Sequence, residues 1–301
     1  VAAFLQHVLN GLSLGAIYAL IALGYTMVFG VLQLINFAHG DIVMVGSFVA
    51  LYASRWMHVG DRTKPSWTLS FVLLLLAMVV CALLGYVIER FAYRPLRKQS
   101  RITALITAIG ISLLLENGGQ LLFGATPQAP AWIPSVSEIQ IAGADVSPVQ
   151  LVTLLAALGL MVGLEYIVYR TRLGLAMRAV SHDPQVALLM GINIDGVISF
   201  TFMLGSALAA AAGILYTLRY PKVEPFMGLL PGLKAFVAAV LGGIGNVPGA
   251  MLGGIVLGLS EEMVAGYVSS SLRDAFAFSL LIGVLLFRPN GLLGSTAMEK
   301  V

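Results

Sequence analysis

The sequence predicts an all-α, polytopic membrane protein with about eight to nine transmembrane or half-membrane helices, broken-helix regions and a weak internal repeat. Three observations predict it. Of 301 residues, 59% are hydrophobic and only 10% charged, whereas an ordinary soluble domain is roughly 25% charged. The apolar residues run in stretches near the roughly 20 residues a helix needs to cross ~30 Å of hydrocarbon at 1.5 Å per residue. The basic residues cluster between those stretches, as in membrane proteins oriented by charge. A net charge of +3 is too small to point to nucleic acid. The one cysteine, Cys81, lies in an apolar run, so no disulfide framework is expected. No signal peptide with a small-residue cleavage site is evident.

Taken in order, the clear candidate spans are Val8–Gly30, Trp67–Glu89, Ile102–Gly124, Val149–Tyr169, Val197–Leu218 and Arg273–Phe287. Two regions fit less cleanly, Val31–Ala53 and the glycine-rich Leu230–Val268. The segment holding Arg90, Arg94, Arg97, Lys98 and Arg101 is the densest basic cluster and is placed in the cytoplasm. Ala125–Val146 has no Lys or Arg and goes outside. Arg170, Arg172 and Arg178 then fall inside, as do Arg288, Lys300 and the C-terminus. No long soluble domain is present, and the chain reads as one transmembrane domain over 1–301 with a cytoplasmic loop at 171–196.

The stretch Asn36–Asp41, "NFAHGD", places polar groups where the chain is otherwise apolar. Counted from Asp41 to Trp56, the following helix would span only about 24 Å, which puts Asn36–Asp41 at membrane depth. Asp41 is expected as an N-cap and Gly40 as a sharp turn before it. Open backbone at that depth is tolerated where it is buried in protein or lines a wet cavity. Asn36 and His39 are candidates for facing a solute, with Asn117 and Asn246 elsewhere. A purely structural alternative is that Asn36, His39 and Asp41 cap helices and join them to neighbours.

A related pattern recurs. Val31–Leu51 and Val240–Ser260 each have an apolar run, an Asn, a small-residue break and a Gly-containing apolar helix. Gly245, Pro248 and Gly249 belong to the second break. The four-residue spacing of Gly245, Gly249 and Gly253, and of Gly254 and Gly258, suits close helix packing. Such discontinuities are where transporters often place substrate routes.

In the loop at 171–196, Asp183-Pro184 is a helix start, with Asp as N-cap and Pro at the first helical position. Gly191 is a stop. Val186, Leu189 and Met190 share one face of the short helix between them. That face wants either a partner protein or the lipid interface.

This loop resembles the coupling segment of ABC importer permeases, although Ser181-His182-Asp183 replaces the usual acidic-Ala-Ala start. Asn10–Phe48, "ERFAYRPLR" (Glu89–Arg97), "TALITAIGISLLLEN" (Thr103–Asn117), "LLMGINID" (Leu188–Asp195), Lys234–Gly254 and "RPNGLLG" (Arg288–Gly294) together resemble the H-type permease of the branched-chain amino-acid (Liv) ABC importers. The resemblance implies a bacterial inner-membrane subunit paired with a second, M-type permease. It also implies two ATP-binding subunits below and a soluble extracytoplasmic binding protein that delivers Leu, Ile or Val. Arg178, Asp183, Pro184, Val186, Leu189, Met190 and Gly191 would then form the ATPase coupling element.

The chain has no G-x-x-x-x-G-K-[ST] phosphate loop and no Gly-Lys dipeptide. No catalytic or metal-spaced cluster stands out, so no enzyme activity, cofactor or metal is expected. Two alternatives remain at this stage. One is a permease of the same family for urea, short amides or other amino acids. The other is a self-sufficient secondary transporter or channel, for which Asp41, Glu116 and Glu165 are the intramembrane acids to consider.

Overall fold

The computed structural model describes residues 2–60, 64–97, 99–134, 139–141 and 144–294. Among the described residues nine helices make the bundle, and two more lie in the 171–196 loop. α1 is Ala2–Leu32, α2 His39–Trp56, α3 Trp67–Ile88, α4 Arg101–Phe123 and α5 Pro148–Arg170. α6 (Arg172–His182) and α7 (Pro184–Leu189) fill the loop, and α8 (Ile194–Arg219), α9 (Leu229–Gly242), α10 (Val247–Tyr267) and α11 (Arg273–Phe287) complete the chain. Among the described residues seven helices are long and apolar enough to cross a membrane, and α2 and α9 are not among them. α9 has 14 residues, about 21 Å of rise. The chain is therefore a multi-pass helical membrane protein. One feature outside the all-α expectation is a small hairpin, β1 (Ile139–Ile141) and β2 (Ala144–Val146), antiparallel, in the loop before α5.

α1 and α8 sit at the centre and are buried over most of their length. A helix apolar on every side belongs inside a bundle. α3, α4, α5 and α11 surround them and turn exposed Leu, Ile, Val and Phe outward. Small residues let the central backbones touch. A Cβ at Gly258 on α10 would lie 2.3 Å from the Cα of Gly15 on α1, and one at Gly254 would lie 2.5 Å from the Cα of Ala19. On the other side of α10, Cβ atoms at Gly249 and Gly253 would meet the carbonyls of Gly242 and Ala238 on α9 at 2.4 and 2.1 Å. The glycine spacing thus serves packing on two faces of α10. Gly245 stands apart from that set. It precedes the helix, with φ +92°.

Several contacts show which ends lie together. The Ser181 hydroxyl on α6 donates to the carbonyl of Gly30 on α1. Arg94 and Arg97 both pair with Asp195 at the start of α8. Leu292 and Leu293 donate backbone bonds to Leu241 and Gly242 at the end of α9. These groups define one end, which carries the basic cluster. Asn10, Gln150 and the bridge between Gln128 and Val223 mark the opposite end.

Candidate functional site

Both breaks in the helical path occur at the basic end, and they meet. α1 stops at Leu32, and Gln33 takes a left-handed φ of +53°. α9 stops at Gly242, and Gly243 and Gly245 have φ of +105° and +92°, values that a side chain would strain. Asn246 then caps α10, accepting a 3.0 Å bond from Gly249 N, with Pro248 in the first turn where its missing N–H costs nothing. The Asn246 amide nitrogen donates to Leu293 O at 2.7 Å. The segment after α11 therefore straps the break and satisfies the last carbonyls of α9, which would otherwise be orphaned.

Gly30 and Gly245 are in contact, a Cβ on Gly30 falling 3.8 Å from Gly245 Cα, and both line a cavity of about 730 Å³. Phe29 lines it from α1, Gln33 from the first break, Phe236 and Val240 from α9, and Asn246 from the second break. Tyr169, Ser181 and Asn290 close its rim. The wall mixes aromatic and aliphatic side chains with amide and hydroxyl dipoles. Of the four sequence-predicted pathway residues, Asn246 lines this cavity and the other three do not.

Asn36 is 2% exposed, and its Oδ1 accepts a 2.9 Å bond from the Tyr93 hydroxyl. His39 is buried in a niche on α1. A Cβ at Gly24 would come within 2.2 Å of His39 Nε2, and the ring stands edge-on to Tyr25 at 4.7 Å. Asn117 donates to the carbonyl of Leu113 one turn back on α4 and faces outward.

The expected roles of Asp41 and Gly40 are corrected. α2 begins at His39, with Ala38 at the cap position and no side-chain cap bond. The His39 N–H already turns back to the Asn36 carbonyl at 3.1 Å, so helical bonding starts two residues before Asp41. Asp41 sits in the first turn, where its charge suits the helix dipole, and it accepts a 2.5 Å bond from Ser112 on α4. Gly40 is not a turn either. It lies within the helix and lets Gly228 O and Gly232 Cα approach to 2.9 and 3.3 Å of where its Cβ would be. Of the three acids considered for ion coupling, Asp41 is buried against α4, Glu116 is buried on α4 itself, and Glu165 is exposed on α5.

On the same end as the cavity, α7 projects from the bundle. Asp183 caps it as expected, its Oδ1 accepting from Gln185 N and Val186 N at 2.8 and 3.0 Å. Gly191, at φ +82°, ends it. Leu189 is 86% and Met190 78% exposed, and Val186 is exposed beside them, while Ala187 faces the protein. The preceding α6 was not anticipated from the sequence. It carries Arg178, whose guanidinium stacks over Tyr169.

Two charge networks were also missed. At the basic end, Arg97 pairs with fully buried Glu89, whose other oxygen accepts from Ser199 at 2.5 Å. Towards the opposite end, Lys234 on α9 forms ion pairs with Glu261 at 2.9 Å and Asp274 at 2.7 Å, and Tyr18 donates to Glu261 at 3.1 Å. Glu262 pairs with Arg273 at 2.8 Å and approaches Arg219 at 4.0 Å. The signal was present: two adjacent glutamates and a lysine in otherwise apolar helices, at a depth where unpaired charge is costly.

A multi-pass bundle with two helix breaks sharing one cavity, and an apolar helical tip beside it, has the architecture of a solute permease. The family model described as "Branched-chain amino acid transport system / permease component" matches residues 7–285, and the chain belongs to that family. It is 44% identical to the high-affinity branched-chain amino acid transport system permease protein LivH of Salmonella typhimurium, over 99% of this chain and 98% of the relative. It is 43% identical to the corresponding BraD of Pseudomonas aeruginosa, with the same coverage. The ribose import permease protein RbsC of Haemophilus influenzae is a more distant relative, 24% identical over 95% of this chain and 85% of the relative. No solved structure matches.

Proposed function

We propose that this chain is a non-catalytic permease subunit of an ABC importer for branched-chain amino acids, moved by ATP hydrolysis in two separate subunits. The observation that carries the reading is the shared position of the two helix breaks, their cavity and the exposed tip of α7, all at one end of the bundle. In this reading the whole of 1–301 is one permease domain in the bacterial cytoplasmic membrane. The basic end and the C-terminus face the cytoplasm, as the distribution of Lys and Arg favours. The 171–196 segment is the coupling element: Arg178 braces α6, Asp183 and Pro184 start α7, Val186, Leu189 and Met190 enter a groove of the ATPase, and Gly191 releases the chain. A second permease of the M type completes the route, and a soluble extracytoplasmic binding protein delivers the solute.

The cavity wall suits a neutral zwitterion with an aliphatic side chain. Phe236 and Val240 offer apolar contact, and Gln33 and Asn246 offer dipoles. Asn36 and His39 act behind the wall rather than on it. The deciding experiment is uptake by the complex reconstituted in vesicles with its ATPases, partner permease and binding protein, using labelled leucine with isoleucine, valine, urea and acetamide as competitors. Competition by isoleucine and valine alone supports the reading. Competition by urea or acetamide replaces the substrate class, and uptake without ATP replaces the mechanism.

A further inference from the structure

Lys234 is the charged residue of α9, the short helix that leads into the second break. Its side chain is 6% exposed, and its ammonium sits between Glu261 on α10 and Asp274 on α11. Glu261 is fully buried and is also held by Tyr18 of α1. One lysine thus ties α9 to three neighbouring helices. A buried pair is a poor source of net stability, because desolvation offsets most of the attraction. What it fixes is geometry, since each charge has low-energy positions only beside its partner.

The direction of that anchor matters. Phe236 follows Lys234 by two residues, about 200° around the helix, and Val240 lies one turn beyond Phe236. Lys234 therefore points away from the face of α9 that lines the cavity. With its back pinned, α9 has one rotation and one depth, and these set where Phe236 and Val240 stand. Its other buried positions are mostly Gly, Ala and Val, which pack on Gly40, Gly249 and Gly253, so Lys234 is the ion-paired anchor among otherwise non-directional contacts.

We infer that Lys234, through its paired carboxylates Glu261 and Asp274, is a positioning residue for transport: it sets the rotation of α9 and hence the cavity wall formed by Phe236 and Val240. The inference rests on the cavity being part of the solute route.

The test uses the assembled transporter. Lys234→Met alone leaves Glu261 buried without its cation, so the informative variant is Lys234→Met/Glu261→Gln, which removes both charges and keeps an acceptor for Tyr18. Two quantities are read in it. One is uptake per assembled complex. The other is the rate at which a cysteine at Phe236→Cys reacts with a small thiol reagent, with buried Cys81 as the unreactive background. The expected result is normal assembly, a shifted labelling rate and uptake reduced by about tenfold, within the range for positions that act through a neighbour. An unchanged labelling rate overturns the inference and leaves the pair as structural glue. A shifted rate with full uptake upholds the anchoring of α9 and instead removes the cavity from the route. Should the double variant not assemble, Asp274→Asn carries the same labelling test. It removes the partly exposed carboxylate while Glu261 stays paired, and an unchanged rate there also overturns the inference.

Discussion

The side chain of Asn36, in the first helix break, accepts a 2.9 Å hydrogen bond from the hydroxyl of Tyr93, 57 residues further along the chain. Both groups are buried. The contact joins the break after α1 to the distorted end of α3, where Glu89–Tyr93 form a π turn that continues the helix. π turns commonly mark places where a helix is adapted to a local task. Here the adaptation brings Tyr93 to Asn36 and Glu89 to Arg97 and Ser199.

The first prediction follows from that bond. Asn36→Leu leaves the Tyr93 hydroxyl buried without its acceptor and should destabilise the assembled protein by about 1–3 kcal/mol, the cost of an unsatisfied buried group. Tyr93→Phe should cost less, and adding it to Asn36→Leu should cost little more. Thermal unfolding of the two single variants and the double in detergent measures the coupling. Strict additivity would show that the bond is not formed.

A second prediction concerns the contact of α1 with α10. Gly258→Ala should lower the yield of folded protein sharply, because its Cβ would lie 2.3 Å from the Cα of Gly15 and only backbone movement relieves that. Overpacking typically costs about 1–3 kcal/mol. Gly118→Ala, where nothing lies within 4 Å, should leave the yield unchanged. Size-exclusion profiles of the two variants compare them directly. Equal profiles would mean that the helices stand further apart than described.

The pattern of spans, the two breaks and the α7 cap were legible in the sequence, because each depends on neighbours along the chain; the glycine packing of α10 was legible from its four-residue spacing, but its partners on α1 and α9 were not. Asp183 caps its helix because the two N–H groups it serves are two and three residues away. Asp41 was misread because its partner, Ser112, lies on another helix. Gly40 was misread for the same reason: what demands its missing Cβ is Gly228 and Gly232, not a local turn. The Asn36–Tyr93 bond and the Lys234 network also join distant segments, and no spacing rule reports such pairs. The cavity itself is a product of the two breaks meeting, which their weak repeat hinted at without fixing their contact.

A third prediction tests orientation. Thr126→Cys, exposed in the loop after α4, should react with a membrane-impermeant thiol reagent added outside intact cells. Gln185→Cys, exposed on α7, should react only after the membrane is opened. The native Cys81 is buried and gives little background. Ser137 and Ser295, which the sequence also offers as reporters for the same two sides, lie outside the described residues. Labelling of both positions from one side would reverse or break the assigned topology, and the coupling role of α7 would go with it.

The last prediction separates ATP hydrolysis from transport. Gly191 ends α7 at φ +82°, and the space around it is open within the chain, with nothing within 4 Å of a Cβ. Gly191→Arg therefore meets no internal clash and has only the left-handed backbone to strain, a cost of about 1–2 kcal/mol. The subunit should fold and reach the membrane. Its damage should fall outside the chain, where the arginine enters the space that the proposed ATPase partner would occupy beside Leu189 and Met190. In the assembled transporter, solute-stimulated ATP hydrolysis should persist in part while uptake falls far more. Gly191→Ala, which carries the same backbone strain without the bulk, distinguishes the two causes. If it lowers uptake as much as Gly191→Arg, the backbone conformation is what matters. If it transports nearly normally, the bulk at the partner surface is the cause. Normal uptake with Gly191→Arg would show that this end of α7 does not touch the ATPase at all.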